Sequence, residues 1–545
     1  MGAALRRAAR RAGRAANSGG AFSGIVAGGP PGAAPRVERA RWAGAADLPP
    51  TGKGDVRPWR GRRARGRTGR RARPSRSPPS AAAVAANAAS ALRRGDHRGH
   101  PVAPVGASGL PNRCHRRKSL APPPAPGCTV PRSHTPPRRT ALTMRTRATT
   151  EDDLDAFVDT LHTAFGRFRE TMTVGGGRWW SALELDRGVL ATEPDGRPVG
   201  TAASYSFELT LPGGGVLPVA GVTCVGVLPS HRRRGVGGAL MRHQLAGVRE
   251  RGEAVAVLLA SEATIYGRFG YGPATISRRF TVQRARAALT RPRAGAEVPA
   301  GSVRVLPRDR CGDVLEQVYD RYRRTQPGAL SRPPRWWAEG VGRPPVSRVP
   351  RYAAVHHGAG GVADGYASYS VEGDALVVDE LVAENAAASA GLAEFALGHD
   401  LVDEVVFKHF PPDHPLPWQL EDPRAGREAE ATDWLWVRLL DVPAALTARG
   451  WSADGELVLD VTDPFLSERG RHLLTVRDGR AACASTDRAP DLSLDVRDLG
   501  SLYLGGVTPS ALVRAGHVRA HHPEAAARAD ALFRVDRAPH CVHWF

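Results

Sequence analysis

Apolar and polar positions divide the chain into a part without a period and a part with clear ones. Residues 1–143 carry almost no periodic apolar pattern, as in the run Arg57-Pro-Trp-Arg-Gly-Arg-Arg-Ala-Arg-Gly-Arg. Such a segment buries too little surface to offset its chain entropy and is expected to be disordered. From Met144 the pattern changes. Thr150 reads as a helix N-cap, with acids in the first turn and Leu154, Val158, Leu161 and Phe165 on one face. Strands are expected at Gly188–Ala191, Val199–Glu208, Val216–Val219 and the β-branched run Val222–Val227. Met241, Leu245 and Val248 mark an amphipathic helix, and the unbroken apolar run Ala254–Ser261 a buried strand. Farther on, Ala375–Val382 reads as a strand and Ala386–Leu397 as a helix. Strand signals recur at Glu456–Asp463 and His472–Asp478, with Ala/Leu-rich helices up to Phe533. Alternating strand and helix signals predict an α/β (α+β) chain with mixed sheets.

Charge follows the same division. Of 76 Lys and Arg and 54 Asp and Glu in 545 residues, residues 1–143 hold 29 and 4, leaving 47 and 50 for the remainder. The basic excess belongs to the leader, so no nucleic-acid partner is inferred for the core. Three readings of the leader compete: a basic arm for nucleic acid, a targeting peptide, or sequence upstream of a true start at Met144. The over-extended start is favoured, because a well-organised segment begins there. Six cysteines (114, 128, 224, 311, 483 and 541) form no C-x-x-C pair. Cys114, Cys128, His115 and His134 fit no zinc spacing, so no metal is expected. Free thiols and the lack of a long apolar run suggest a reducing cytosol and no membrane span.

Candidate chemistry centres on the stretch after Val222. The strand ends at Pro229, a basic Gly-rich turn follows, and then the helix starts. Unpaired N–H groups, the positive end of a helix and three arginines make a pyrophosphate cradle. Neither the P-loop nor the Rossmann spacing is present. Arg232-x-x-Gly235-x-Gly237 instead resembles the coenzyme A signature of the GNAT superfamily of N-acetyltransferases; the competing reading is a basic surface turn. Beyond the buried strand, Tyr266 and Tyr271 lie in a turn-rich segment. A phenol there can donate a proton to a leaving group, although for Tyr266 taken alone core packing is the better reading.

A closer resemblance covers Met144 to Phe545. Ser261-Glu-Ala-Thr-Ile-Tyr-Gly-Arg-Phe-Gly-Tyr-Gly-Pro, Val225-Gly-Val-x-Pro-x-His-Arg-Arg-Arg-Gly, Leu435-Trp-Val-Arg-Leu-Leu-Asp-Val-Pro-Ala-Ala-Leu446, Leu499-Gly-Ser-Leu-Tyr-Leu-Gly505 and the terminal Phe545 look like the enhanced intracellular survival (Eis) family of actinobacterial acetyltransferases. The resemblance implies a catalytic GNAT domain (144–299), a degenerate second GNAT-like domain (300–435) and a sterol-carrier-like C-terminal domain (436–545). By the same resemblance, Val225, Gly226 and Val227 face the pantetheine arm of acetyl-CoA. Arg233, Arg234, Gly235, Val236, Gly237 and Gly238 hold its pyrophosphate, and Ser261 and Glu262 border it. Tyr266 would be the general acid and the α-carboxylate of Phe545 the general base. The second domain lacks the coenzyme signature, so one coenzyme site per chain is expected.

The family is associated with multi-site acetylation of aminoglycosides and other amines, with acetyl-CoA as donor, and with hexamers. Trp544 and Arg167 depart from what would attract a polycation. An aromatic pocket of Trp179, Trp180 and Trp544 suits protein lysines or hydrophobic amines as well. Two other classes stay open. One is a non-catalytic scaffold or apolar-ligand binder using the C-terminal domain. The other is a nucleic-acid-associated protein acting through the leader, which steeply salt-dependent binding would reveal.

Overall fold

The computed structural model describes residues 144–167, 182–290, 301–306, 311–338 and 351–545. The leader, Trp179 and Trp180 lie outside the described residues. In chain order, the first domain is β1 (Arg145–Ala148), α1 (Leu154–Ala164), β2 (Val189–Thr192), β3 (Pro198–Thr210), β4 (Val216–Val227), α2 (Val236–Glu250), β5 (Val255–Leu259), α3 (Ala263–Tyr266) and β6 (Gly272–Pro273). Next come β7 (Ile276–Gln283), β8 (Gly301–Leu306), α4 (Gly312–Arg323), α5 (Pro334–Ala338), β9 (Tyr352–Gly358), β10 (Ala363–Glu372), β11 (Ala375–Ala383), α6 (Ala386–Leu397), β12 (Glu404–Phe410), α7 (Leu416–Gln419), β13 (Gly426–Asp433) and β14 (Leu435–Leu439). The last part holds α8 (Val442–Ala448), β15 (Gly455–Asp463), β16 (Glu468–Arg477), β17 (Arg480–Ser485), β18 (Leu492–Asp495), α9 (Val496–Tyr503), α10 (Pro509–Arg514), β19 (Arg519–Ala520) and α11 (Pro523–Phe533).

Three mixed sheets result, in the orders β1-β2-β3-β4-β5-β14-β6, β13-β7-β12-β11-β10-β9-β8 and β17-β16-β15-β18-β19. The first two sheets trade strands. β14 enters the first sheet between β5 and β6, with Val437 opposite Val257, while β7 enters the second, with Phe280 opposite Phe407. The borders read from the sequence at 299/300 and 435/436 therefore do not coincide with the borders of the sheets. β7 lies before the first and works in the second sheet; β14 lies at the second and completes the first.

The C-terminal domain is anchored on that inserted strand. Helix α9 lies so close to β14 and β6 that a Cβ on Gly500 would stand 2.3 Å from the Val437 carbonyl oxygen, and one on Gly272 1.9 Å from that of Arg497. Fully buried Arg438 on β14 pairs with Asp463 on β15. Arg249 at the end of α2 grips Glu468 with two contacts of 2.6 Å. Sequence and structure agree on the inner face of α2, where Met241, Leu245 and Val248 are buried. They differ at Phe165: α1 ends at Ala164, so Phe165 leaves the helical face and is 51% exposed. Among the described residues no helix is long and apolar enough to cross a membrane.

Candidate active site

Strand β4 builds the site because its two edges behave differently. Its parallel pairing with β5 runs through Ala220↔Ala256, Gly221↔Val257 and Val222↔Leu258 and goes no further. Toward β3 the register shifts between Thr201 and Ala203, opposite Cys224, whose φ is 54°. A left-handed residue other than glycine costs roughly 1–2 kcal/mol, and here the Thr201 hydroxyl holds it by donating to the Cys224 carbonyl at 2.8 Å. After the bulge, the Leu228 N–H donates to Val199 on β3 at 2.9 Å. By alternation along a strand, the main-chain groups of Val227 and Val225 point the other way, into the gap left by the departing β5. That edge can pair with an extended amide-bearing ligand.

The chain then turns into α2. Arg232, Arg233, Arg234 and Gly235 are exposed, and Gly235 has a φ of 88° directly before the helix. A Cβ at Gly235 would meet nothing within 4 Å, at Gly237 only Val227 at 4.0 Å, and at Gly238 only Arg242 at 3.5 Å. The space over the helix start is thus open, as an entering phosphate requires. Not all three arginines are available to it. Arg232 donates to the Ala164 carbonyl at 2.7 Å and ties the turn to the end of α1. Arg233 and Arg234 stay exposed beside the helix start, Arg234 with one long contact of 3.4 Å to the Ser230 carbonyl. Gly235→Asp keeps a good N-cap residue but places a carboxylate and an unfavourable φ where phosphate would sit. Acetyl-CoA affinity is expected to fall at least about tenfold, roughly 1.4 kcal/mol, with the melting temperature little changed. Unchanged affinity by calorimetry would show that this turn is not the cradle.

The corresponding helix start in the second domain is built differently. Eight residues separate β4 from α2, but two separate β11 from α6. Asn385 caps α6 itself, accepting from the Ala388 N–H at 2.9 Å, and its amide donates to Asp364 at 2.9 Å. Glu384 adds a further acid at that point, paired with Arg321 at 2.8 Å. A self-capped helix flanked by two carboxylates does not suit a phosphate.

Ser261 and Glu262 are exposed just past β5, leading into α3, and Tyr266 is buried at the end of α3. Burial raises the Tyr266 phenol above its usual value, against a hydrogen bond with Ser261 that lowers it. Tyr271 stands edge-on, with ring centroids 6.3 Å apart, but it is wholly buried and its hydroxyl has no partner among the described residues. Tyr266 is thus the phenol that retains contact with the polar rim, and it is protonated at neutral pH.

The end of the chain returns to the same sheet. Residues 539–543 are buried, and Phe545 is 7% exposed. The Phe545 ring stands edge-on to Phe207 at 5.1 Å. A Cβ on Gly221 would lie 2.4 Å from Phe207 and 3.2 Å from Phe545, so glycine at that point of β4 makes the seat. Trp544 departs from expectation: it is 40% exposed, because the last residues alternate and only Phe545 turns inward. Arg167 is exposed just past α1. A cavity of about 270 Å³ lies beside the tail, lined in part by Glu208, Tyr319, Arg332 and Trp337. A larger hollow of about 600 Å³, lined by Gln283, Arg286, Asp374 and Glu404, includes no residue of the coenzyme motif.

Histidines surround the tail, and all are kept neutral. Burial lowers His540 to about 3 and His409 and His414 to about 4, and takes His543 well below its usual value. In the unfolded chain they titrate near 6.5, so the unfolded state takes up protons first as the pH falls. Stability is complete above about pH 6.5 and is lost progressively toward pH 4. Each such group removes up to about 1.4 kcal/mol per pH unit in that window. The melting temperature is expected to be clearly lower at pH 5 than at pH 7; an equal or higher value at pH 5 would contradict this reading.

A splayed, bulged strand, a glycine cradle at a helix start and a buried tyrosine beyond the next strand define a GNAT-type acyltransferase. Acetyltransferase (GNAT) domain families match residues 145–274 and 328–439, and a sterol carrier protein domain matches 442–542. An uncharacterized N-acetyltransferase of Streptomyces griseus is 37% identical over 363 residues, 64% of this chain and 87% of that protein. N-acetyltransferase Eis of Mycobacterium tuberculosis is 37% identical over 371 residues, 66% of this chain and 89% of that protein. The crystal structure of Eis1 from Mycobacterium abscessus has a TM-score of 0.64 at 36% identity, covering 74% of this chain and all of that one. The chain belongs to the Eis family of GNAT N-acetyltransferases.

Two features of the site had no clear sequence signal. The bulge at Cys224 leaves no mark in a β-branched run. The buried pair Arg332–Glu380, which supports the tail, reads in the sequence as two ordinary surface charges.

Proposed function

We propose that the protein transfers the acetyl group of acetyl-CoA to primary amines, with Tyr266 as general acid and the α-carboxylate of Phe545 as general base. The outward edge of Val225–Val227 pairs with the pantetheine amides, Arg233 to Gly238 receive the pyrophosphate, and Ser261 and Glu262 border the coenzyme. The amine attacks the thioester carbonyl as its proton passes to the terminal carboxylate, directly or through a water. The C–S bond then breaks, and the thiolate takes the Tyr266 proton. The observation that carries this reading is the seating of Phe545 against Gly221, on the very strand whose farther end forms the coenzyme edge.

The acceptors fitting this reading are aminoglycosides and lysine side chains. A cytoplasmic homohexamer, with no membrane or nucleic-acid partner for the core, completes it. The test is acetyl-CoA consumption across a panel of an aminoglycoside, a lysine peptide and a hydrophobic amine. Acetylated product from at least one is the expected result; acetyl-CoA binding with no amine-dependent turnover on any would refute an amine acetyltransferase of this specificity.

A further inference from the structure

The tail carries a contact network that neither coenzyme binding nor Tyr266 uses. His543 is fully buried, and its Nδ1 lies 3.1 Å from Nε of Arg332. Arg332 is itself fixed. Its guanidinium donates twice to Glu380, once at 3.2 Å, and the Tyr366 hydroxyl donates to the same carboxylate at 3.0 Å. The Tyr319 ring lies 4.0 Å from the guanidinium carbon. Arginine can only donate, so Nδ1 of His543 must accept and the single ring proton resides on Nε2. That N–H is buried and has no partner among the described residues, the terminal carboxylate included. An unpaired buried donor is costly and calls for an explanation, a reacting group that it serves being one.

The imidazole is also clamped. It lies nearly parallel to the Phe545 ring, 28° and 5.9 Å away, and edge-on to Phe207 at 5.3 Å and Trp336 at 4.9 Å. Rotating it would displace the terminal ring. A second proton would have to enter at Nδ1, against the Arg332 charge, so the ring does not become a cation that would pair with the base.

We propose that His543, locked by Arg332 as the neutral Nε2–H tautomer, is the positioning residue of the terminal carboxylate: its ring seats Phe545 and its N–H is the hydrogen-bond donor the carboxylate uses in turnover. This rests on the carboxylate being the base. A donor to the ionised form keeps the carboxylate charged to lower pH.

The test compares H543F, which keeps an aromatic ring and removes the N–H, with H543Q, which restores an N–H near Nε2. H543F is expected to leave the acetyl-CoA Kd within about twofold, lower kcat at least about tenfold and move the acidic limb of the kcat/KM–pH profile upward. H543Q is expected to return the limb toward its original position. An unmoved limb in H543F, with or without a loss of kcat, overturns the proposal, because a ring that only fills space does not change the base's proton affinity. If H543F also loses acetyl-CoA binding, R332K decides: it keeps the charge against Glu380 but removes the Nε donor, and an unmoved limb there overturns the proposal. A C-terminally amidated chain tests the base alone. Full turnover in it refutes the carboxylate as base, and the positioning role with it. Loss of turnover there beside a silent H543F refutes only the positioning role.

Discussion

Tyr266→Phe is expected to lower kcat about 100-fold, roughly 2.7 kcal/mol, with acetyl-CoA affinity unchanged. Two phenols compete for the role of acid. Both are buried, and burial raises both, so each is a protonated donor at neutral pH. Tyr266 hydrogen-bonds at the polar rim with Ser261, whereas the Tyr271 hydroxyl is enclosed without a partner among the described residues. Under the proposed mechanism the first, at the polar rim, is the one placed to meet a leaving thiolate. Tyr271→Phe removes an unsatisfied hydroxyl and should leave turnover within a few-fold and stability unchanged or slightly raised. Steady-state kinetics on the two variants decide the matter: equal losses, or a larger loss at Tyr271, would assign the acid to the other phenol.

Local order was legible in the sequence wherever one apolar face met one periodic pattern. The α2 face, the apolar run of β5 and the helix Ala386–Leu397 fall where the spacing places them, because burial of one stripe is decided locally. Sheet membership is different. Leu435–Leu439 forms β14, yet nothing in five apolar-rich residues says whether it closes its own domain's sheet or the preceding one. Nor could β13 be read, because an edge strand with the sequence Gly-Arg-Glu-Ala-Glu-Ala-Thr-Asp exposes most of its side chains and shows no apolar face. β7 pairs with β12 and β13, and β14 with β5 and β6, so the exchange joins strands far apart in the sequence and only the fold reveals it.

The site divides along the same line. Its glycines and arginines were legible because a phosphate cradle is a local motif, although the motif does not say that Arg232 is occupied by the Ala164 carbonyl. Where the terminus docks depends on Gly221, Phe207 and the Arg332–Glu380 pair, which come from three strands and a loop. Trp544 faces outward for a related reason: in an extended tail adjacent side chains face opposite ways, so Phe545 and Trp544 do not both turn inward.

Converting the terminal carboxylate to an amide is expected to abolish transfer, by at least about 100-fold in kcat, while acetyl-CoA still binds. Burying the Phe545 ring is worth about 2–3 kcal/mol, and an amide is easier to bury than a carboxylate, so the tail of the amidated chain stays docked. The substitution changes one group by one atom and removes its charge. Loss of turnover therefore reports on the carboxylate and not on packing. Appending residues after Phe545 gives the same loss by a second route, since the ring against Gly221 and Phe207 leaves little room to continue the chain. A terminal carboxylate ordinarily titrates near 3.3–3.7, so in the proposed role it would act either with its basicity raised by burial or through a relaying water. Both routes need the charge. Full turnover in the amidated chain would remove Phe545 from the mechanism and return the search for the base to the polar groups around the Glu208 and Arg332 cavity.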